Sequence, residues 1–192
     1  MRLLRSLALL TLLATTGCAT LSQFRALTGL DFSIDGVSRV HVSGIDLANV
    51  RSYGDLGFSD VANLAASYRS GELPLAFDVT IRGDNPAANG DARMLQMEWA
   101  LSLEGRETVR GLLAEEYLFP AGQATTFPVA VELDLLEFFE GNAQDLFELA
   151  LSLSGNGGSP KTVELEVLPV ISTALGPLAY PEAIRMQYRV GG

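Results

Sequence analysis

His41 is the residue whose type could most directly support catalysis, because an imidazole can act as the general base for a Ser or Cys nucleophile. The sequence contains only one His and one Cys among its 192 residues. His41 stands between Val40 and Val42, and no Gly-x-Ser-x-Gly motif accompanies it. We therefore interpret His41 as a lone strand residue, expect no catalytic residue, and expect that the protein is not an enzyme.

Two groups of oxygen-bearing side chains could bind a divalent cation such as calcium, which prefers carboxylate and amide oxygens. The groups are Asp84, Asn85, Asn89 and Asp91, and Glu132, Asp134, Glu137 and Glu140. The first group lacks the spacing of a calcium-binding loop, and Asp and Asn are common turn residues. The second could supply paired carboxylates for acid–base chemistry, but a solvated acidic face and a helix start explain it better. We expect neither a metal nor a cofactor.

A glycine-rich segment, residues 155–159 (GNGGS), could be compared with a phosphate-binding loop. It lacks the Gly-Lys-Ser/Thr sequence and follows a helical pattern instead of preceding one, so we interpret it as a connector. The helical pattern before it carries an apolar stripe that could hold a lipid or protein partner, although a helix covering the core explains it without a ligand. The stripe consists of Leu146, Phe147, Leu149, Ala150 and Leu153.

The N-terminal sequence is typical of a secretory signal. Arg2 and Arg5 precede an apolar run, residues 7–13, that is too short to span a bilayer. Small residues follow the run, which is the usual composition of a cleavage site. We therefore predict export from the cytoplasm of a bacterium.

The only Cys of the chain, Cys18, follows the signal at the position where bacterial lipoproteins are acylated. Residues 15–18 (TTGC) resemble a lipobox, although Thr15 stands where Leu is usual. A rival cleavage after Ala19 would discard the Cys. We predict that Cys18 is lipidated and becomes the mature N-terminus, and Ala19 after it indicates sorting to the outer membrane, with the protein facing the periplasm.

Three segments follow from this prediction. Residues 1–17 are a lipoprotein signal peptide, residues 18–35 a lipidated N-terminus and tether, and residues 36–192 a folded domain. Removal of residues 1–17, which contain two Arg and no acid, leaves 11 basic and 23 acidic residues and a charge of −12. This charge argues against nucleic acid as a partner. The expected assembly is a monomer held on the membrane by its lipid.

The candidate residues of the folded domain must lie mainly on or beside strands, because apolar and polar residues alternate with a period of two. In residues 95–103 the apolar positions are Leu95, Met97, Trp99, Leu101 and Leu103. The seven predicted strands are residues 37–47, 75–81, 95–103, 108–113, 127–133, 163–167 and 184–190.

Two stretches have helical periodicity instead. Residues 59–70 form a predicted helix capped by Ser59 or Asp60, and residues 133–153 form another, broken at Gly141, with Asn142 capping its second piece. About seven antiparallel strands with one or two helical insertions predict a mainly β fold, an immunoglobulin- or fibronectin type III-like β-sandwich.

The order of these motifs resembles the late-embryogenesis-abundant type 2 family, also called the water stress and hypersensitive response (WHy) domain, in a bacterial lipoprotein branch. The resemblance rests on residues 77–89 (FDVTIRGDNPAAN), a strand followed by Asn-Pro, on residues 119–131 (FPAGQATTFPVAV), a Pro-and-Gly turn leading into a strand, and on residues 176–181 (GPLAYP). The helix predicted at residues 59–70 departs from the family pattern. The resemblance implies a fibronectin-like sandwich linked to tolerance of desiccation and other stress, without catalytic residues.

We therefore predict a non-enzymatic, lipid-anchored periplasmic domain that protects envelope components during stress. The alternative is a binding or scaffolding module for a lipid or protein partner in outer-membrane assembly, with a groove between the sandwich and the helix of residues 133–153.

Overall fold

The computed structural model describes residues 29–173 and 176–191. The predicted signal peptide and Cys18 lie outside the described residues. Ten strands are described: β1 (Asp31–Val42), β2 (Ile45–Asp46), β3 (Pro74–Asp84), β4 (Ala92–Leu103), β5 (Arg106–Leu113), β6 (Tyr117–Phe119), β7 (Ala124–Asp134), β8 (Lys161–Thr173), β9 (Gly176–Ala179) and β10 (Ile184–Val190). The described α-helices are α1 (Phe58–Ser70), α2 (Leu135–Phe138) and α3 (Ala143–Leu153), and a 3₁₀ turn covers Tyr53–Asp55.

The strands form two antiparallel sheets that share one hydrophobic core. The first sheet has the order β2-β1-β3-β7 and the second β10-β8-β4-β5, with β6 also paired to β4 and β9 to β8. The predicted mainly β antiparallel sandwich with helical insertions is confirmed. Six of the seven predicted strands are present as single strands, the predicted strand of residues 37–47 is divided between β1 and β2, and β6 and β9 are short additions.

The sandwich has two distinct ends. At the end that we call the loop end, Asp31 of β1 pairs with Asp84 of β3, and Asp84 pairs with Ala124 of β7. At the opposite end, which we call the helical end, Pro74 of β3 pairs with Asp134 of β7. Helix α1 leads into β3 and α2 follows β7, so these helices lie at the helical end.

The period-two pattern correctly identifies the buried face of the central strand β3. Its inward side chains are at most 2% exposed and belong to the common core. They are Leu75, Phe77, Val79 and Ile81. Burial of four such side chains is a large favourable term, since each contributes about 1.5–3 kcal/mol relative to exposure.

Strand β1 starts earlier and ends earlier than predicted. Residues 31–35, which the sequence analysis placed in the tether, belong to β1, and Phe32 and Ile34 are buried there. The predicted single strand of residues 37–47 is interrupted by a turn at Ser43 and Gly44, whose φ angles are +47° and +79°. Two consecutive positive φ values match a tight hairpin turn, and β2 therefore folds back on β1.

Strand β4 contains an irregularity that the alternation does not reveal. The register with β8 shifts between Met94 and Gln96. As a result Met94, and not the predicted Leu95, is completely buried, whereas Met97 and the inward residues after it follow the predicted pattern. A β-bulge of this kind inserts one residue and changes the face that earlier side chains occupy.

Helix α1 begins one residue before its predicted start, and Gly57, not Ser59 or Asp60, is its N-cap. The reason is that the Asp60 carboxylate, in the first turn, accepts a hydrogen bond from the Gly57 N–H at 3.1 Å. Within α1, Leu64 is fully buried and Tyr68 is exposed. The Tyr68 hydroxyl donates to the Gly141 carbonyl at 3.1 Å and so joins α1 to the loop before α3.

The second predicted helix is divided as expected, but it starts later. Leu133 and Asp134 still pair with β3, and the Asp134 carboxylate accepts the Leu136 N–H at 2.9 Å, so α2 begins at Leu135. The break at Gly141 and the cap at Asn142 are confirmed, with Asn142 Oδ1 accepting N–H groups of the first turn at 2.9 and 3.1 Å. The apolar stripe of α3 packs into the core, where Phe147 also meets the ring of Tyr53 edge-on.

The outer edge of the second sheet is built in two pieces. Strand β4 pairs with β5 at the helical end and with β6 at the loop end. Residues 114–116 separate these pieces, and Glu115 and Glu116 lie exposed between them. The Tyr117 hydroxyl donates to Glu115 at 2.7 Å, and Arg93 of β4 pairs with Glu116 at 3.3 Å.

Candidate functional site

His41 lies on the outer face of the first sheet within a polar cluster. Its Nδ1 is 2.7 Å from the Arg39 carbonyl oxygen, and the Arg39 guanidinium donates to the carboxylate of Asp78, a residue only 8% exposed. Arg39 reaches this position with a φ of +53°, at an irregularity in the pairing of β1 with β3. His41 and Glu132 line the same open depression of about 400 Å³, but no Ser, Thr or Cys is among its lining residues. The cluster therefore offers a base and an ion pair without a nucleophile.

The residues that the sequence suggested as calcium ligands make separate hydrogen bonds within the protein. Arg82 donates to the Asp84 carboxylate at 2.8 and 2.7 Å, and this hydrogen bond lowers the pKa of Asp84. Asp91 accepts the backbone N–H of Ala121 at 2.9 Å. Within the described part of the chain, no group of three or more His, Cys, Asp or Glu residues is placed to hold a metal ion.

Asn85, the Asn of the Asn-Pro motif, fastens two loops together. Its side chain is buried, and Nδ2 donates to the carbonyls of Gly90 at 3.1 Å and Phe119 at 2.8 Å. Its backbone N–H donates to the Gln123 carbonyl at 3.0 Å. Its Oδ1 is buried and has no hydrogen-bond partner among the residues that the structure describes. The motif thus has a structural role at the loop end, because one side chain fixes the β3–β4 loop against the β6–β7 loop.

The two loops also touch through their apolar residues. Gly122 has a φ of +74°, and a Cβ at this position would lie 3.3 Å from the Cβ of Ala87. We call the paired loops, residues 85–91 and 120–123, the two-loop tip. Pro86, Ala87 and Ala88 are exposed at its surface.

The second acidic group does not form one site. Asp134 accepts the N–H groups of Leu73 and Leu136, both at 2.9 Å, and so has the role at a helix start that the sequence suggested. Glu132 lies on the outer face of the first sheet beside the His41 cluster, whereas Glu137 and Glu140 lie exposed at the helical end.

The glycine-rich segment serves as a fixed connector after α3. Asn156 Nδ2 donates to the carbonyls of Leu47 at 2.8 Å and Ala48 at 2.9 Å. A Cβ at Gly157 would lie 2.4 Å from the Arg51 carbonyl oxygen, so the segment passes too closely for a larger residue. The close passage explains the glycine without a phosphate ligand.

A groove that the sequence pattern did not reveal lies on the outer face of the second sheet. Ala100 forms its floor, because its small side chain lies between the longer residues Arg110 of β5 and Glu166 of β8, with which it is in register. The volume is about 520 Å³, and the lining includes Glu98, Arg110, Leu112, Glu166 and Leu168. Leu112 is 55% exposed. Small Ala100 at an outward position of the alternation was the available signal.

Ion pairs border this groove. Arg110 donates to Glu107 at 2.6 and 3.0 Å, and Arg185 donates to Glu166 at 2.7 Å. Each Arg is thereby matched by a carboxylate, while Glu98 adds a negative charge at the rim. An apolar floor with a net negative rim can hold a cationic, partly apolar group.

Trp99, the only Trp of the chain, lies behind the groove and covers Gly111 of β5. A Cβ at Gly111 would lie 2.3 Å from Cζ2 and 2.6 Å from Cε2 of the indole. The indole can lie this close to the strand only because Gly111 has no side chain. The aromatic ring in turn provides packing contacts that a glycine in a strand lacks.

No family model and no curated protein matches this chain. A solved protein provisionally classed as late embryogenesis abundant (LEA) is 10% identical over 98% of this chain and 86% of its own, with a TM-score of 0.42. An Arabidopsis thaliana protein is 14% identical over 62% of this chain and 70% of its own, with a TM-score of 0.41. A protein from Archaeoglobus fulgidus is 8% identical over 62% of this chain and 86% of its own, with a TM-score of 0.37.

These TM-scores are all below 0.5. No helix in the described part of the chain is both long and apolar enough to span a bilayer.

Proposed function

We propose that the chain is a non-enzymatic, lipid-anchored domain of the bacterial envelope, of the late-embryogenesis-abundant type 2 kind, that protects its neighbours when water is lost. The observation that carries the proposal is that several of the polar residues singled out by the sequence have structural roles in the fold. Asn85 joins two loops, Asp134 starts a helix, and His41 hydrogen-bonds its own strand. What remains for interaction is the acidic surface.

An acidic, folded surface suits a protective role. The chain has a net charge of −10, and carboxylates such as Glu98, Glu132 and Glu137 are exposed. Like charge keeps copies apart and in solution as the concentration rises. Buried residues of both sheets and of α3 form one hydrophobic core. A core of this extent can stabilise the fold without a disulfide.

The proposed location depends on Cys18. Acylation of its thiol would hold the domain at the outer membrane, because acyl chains contribute about 0.8 kcal/mol per buried methylene. The anchor is tested by replacing Cys18→Ser and fractionating cells. The wild-type protein should sediment with membranes and the variant should become soluble in the periplasm. Continued membrane association of the variant would refute the anchor.

The protective role is tested in a deletion strain that is dried or exposed to osmotic shock. Survival should fall, and the wild-type gene should restore it. A His41→Ala gene should restore it equally, because the proposal assigns His41 no chemistry. Unchanged survival of the deletion strain would contradict protection. Failure of a folded His41→Ala protein to restore survival would contradict the non-enzymatic assignment.

A second candidate function is a binding or scaffolding module of the envelope. The groove predicted beneath residues 133–153 does not support it, because the apolar stripe of α3 packs into the core. The groove over Ala100 does support it. In native mass spectrometry of gently extracted protein, a bound species should be lost on Ala100→Leu, which fills the groove, and retained on Ala62→Leu, an exposed position of α1. An empty wild-type protein would exclude the module.

A further inference from the structure

The two-loop tip has a fixed shape and exposes three consecutive apolar residues beside the polar residues Asp91 and Gln123. Asn85 hydrogen-bonds the Phe119 carbonyl, and Asp91 accepts the Ala121 N–H, so each loop holds the other. The exposed residues between these bonds are Pro86, Ala87 and Ala88. Because the loops are already ordered, contact with a surface has little further ordering cost.

Two ion pairs lie near the tip, while the exposed carboxylates Asp31 and Asp91 keep their negative charge. Asp84 pairs with Arg82 at 2.7 Å, and Asp91 is held by a backbone N–H. On β4, which follows the tip, Arg93 pairs with Glu116. The apolar stretch of Pro86, Ala87 and Ala88 itself carries no charge, so these three residues can approach an uncharged surface.

The chain enters the domain beside this tip. Asp31, the first residue of β1, pairs with Asp84, which directly precedes the tip. If the mature chain begins at an acylated Cys18, residues 19–30 connect the lipid to β1. Twelve residues span at most about 43 Å when fully extended. The anchor thus keeps the loop end within a few nanometres of the bilayer.

We propose that the two-loop tip rests on the lipid surface to which the domain is tethered, so that the helical end points away from the membrane and the outer faces of the sheets face sideways, out of contact with it. The inference rests on the proposed anchor at Cys18. Pro and Ala side chains bind lipid weakly by themselves, but a short tether makes the contact intramolecular and raises its effective concentration. The occupant is a zwitterionic or neutral lipid surface, because the acidic domain is repelled by anionic headgroups.

The test uses full-length protein purified from membranes and reconstituted into phosphatidylcholine vesicles. Acylation consumes the only native thiol, so a Cys introduced by Ala88→Cys is the single site for an environment-sensitive dye. The matched control is Ala62→Cys on α1, which is exposed at the helical end. The dye at position 88 should show a blue-shifted emission and be quenched by lipids with quenchers near the headgroup, whereas the dye at position 62 should show neither effect.

Two further measurements distinguish contact between the two-loop tip and neutral lipid from proximity caused by the anchor alone. Ala87→Asp in the protein labelled at position 88 should reduce quenching to the level of position 62, and adding phosphatidylglycerol should reduce it in the parent protein. Equal quenching at positions 88 and 62, or quenching that increases with phosphatidylglycerol, would overturn the inference while the anchor stands. Intact mass without acyl chains would overturn the anchor, and the inference with it.

Discussion

Gly111→Ala should destabilise the protein through a single contact with Trp99. The new Cβ would lie 2.3 Å from Cζ2, 2.6 Å from Cε2 and 3.0 Å from Nε1 of the indole, where carbon atoms normally stay about 3.5–4.0 Å apart. The ring must therefore move by about 1 Å or more, and Trp99 is only 9% exposed. Overpacking of this kind costs about 1–3 kcal/mol, whereas Gly to Ala in a strand gains about 0.5–1 kcal/mol. We expect a net loss of about 1–2 kcal/mol.

A double-mutant cycle isolates this contact. In a Trp99→Leu background, the same Gly111→Ala change should be neutral or slightly stabilising, because the indole is gone. Urea unfolding followed by circular dichroism gives all four free energies, and Trp emission reports the ring directly, since Trp99 is the only Trp. Gly36→Ala is the matched control, because a Cβ there meets nothing within 4 Å. An equal loss in both backgrounds would show that the indole is not the cause.

Three further predictions concern single side chains. Asn85→Ala should lower the free energy of unfolding by about 1–3 kcal/mol in urea, because the Phe119 carbonyl loses its donor while the unpartnered Oδ1 is also removed; no change would show that the loops hold without it. Asn142→Ala should cost about 1 kcal/mol in the same assay, since the cap of α3 is lost; a Ser at this position should recover most of the loss. Burial and the Glu115 hydrogen bond raise the pKa of Tyr117 from 10.0 to about 12. The contribution of the protonated Tyr117 to the free energy of unfolding is therefore present below pH 10 and is lost as pH rises through about 12. Glu115→Gln should lower the pKa of Tyr117 measured by phenolate absorbance, and an unchanged titration would contradict the assigned contact.

The sequence was informative wherever a local pattern determines the structure. The alternation in β3 identifies the four core residues because successive side chains of a strand point to opposite faces. The cap at Asn142 was predictable because its side chain bonds only N–H groups in the first turn of α3, a few residues along the chain. The early start of β1 was missed, although Phe32 and Ile34 alternate with polar residues.

Features that depend on distant strands were not predictable in this way. The bulge between Met94 and Gln96 is a property of the pairing with β8, about seventy residues later in the chain. The groove over Ala100 exists because Arg110 and Glu166 come into register with it from two other strands. The sequence suggested chemistry for Asn85 because its residue type is common in cation sites, whereas its partners, such as the Phe119 carbonyl, are backbone groups that carry no sequence signal.

The divided edge of the second sheet bears on how this protein behaves when it is crowded. Copies of a β protein that are forced together can join through free strand edges and grow into fibrils. Here β5 ends at Leu113 and β6 begins at Tyr117, with Glu115 and Glu116 between them, so this edge offers two short segments divided by negative charge. At this edge, therefore, strand pairing between crowded copies is limited to short segments and is opposed by the two carboxylates.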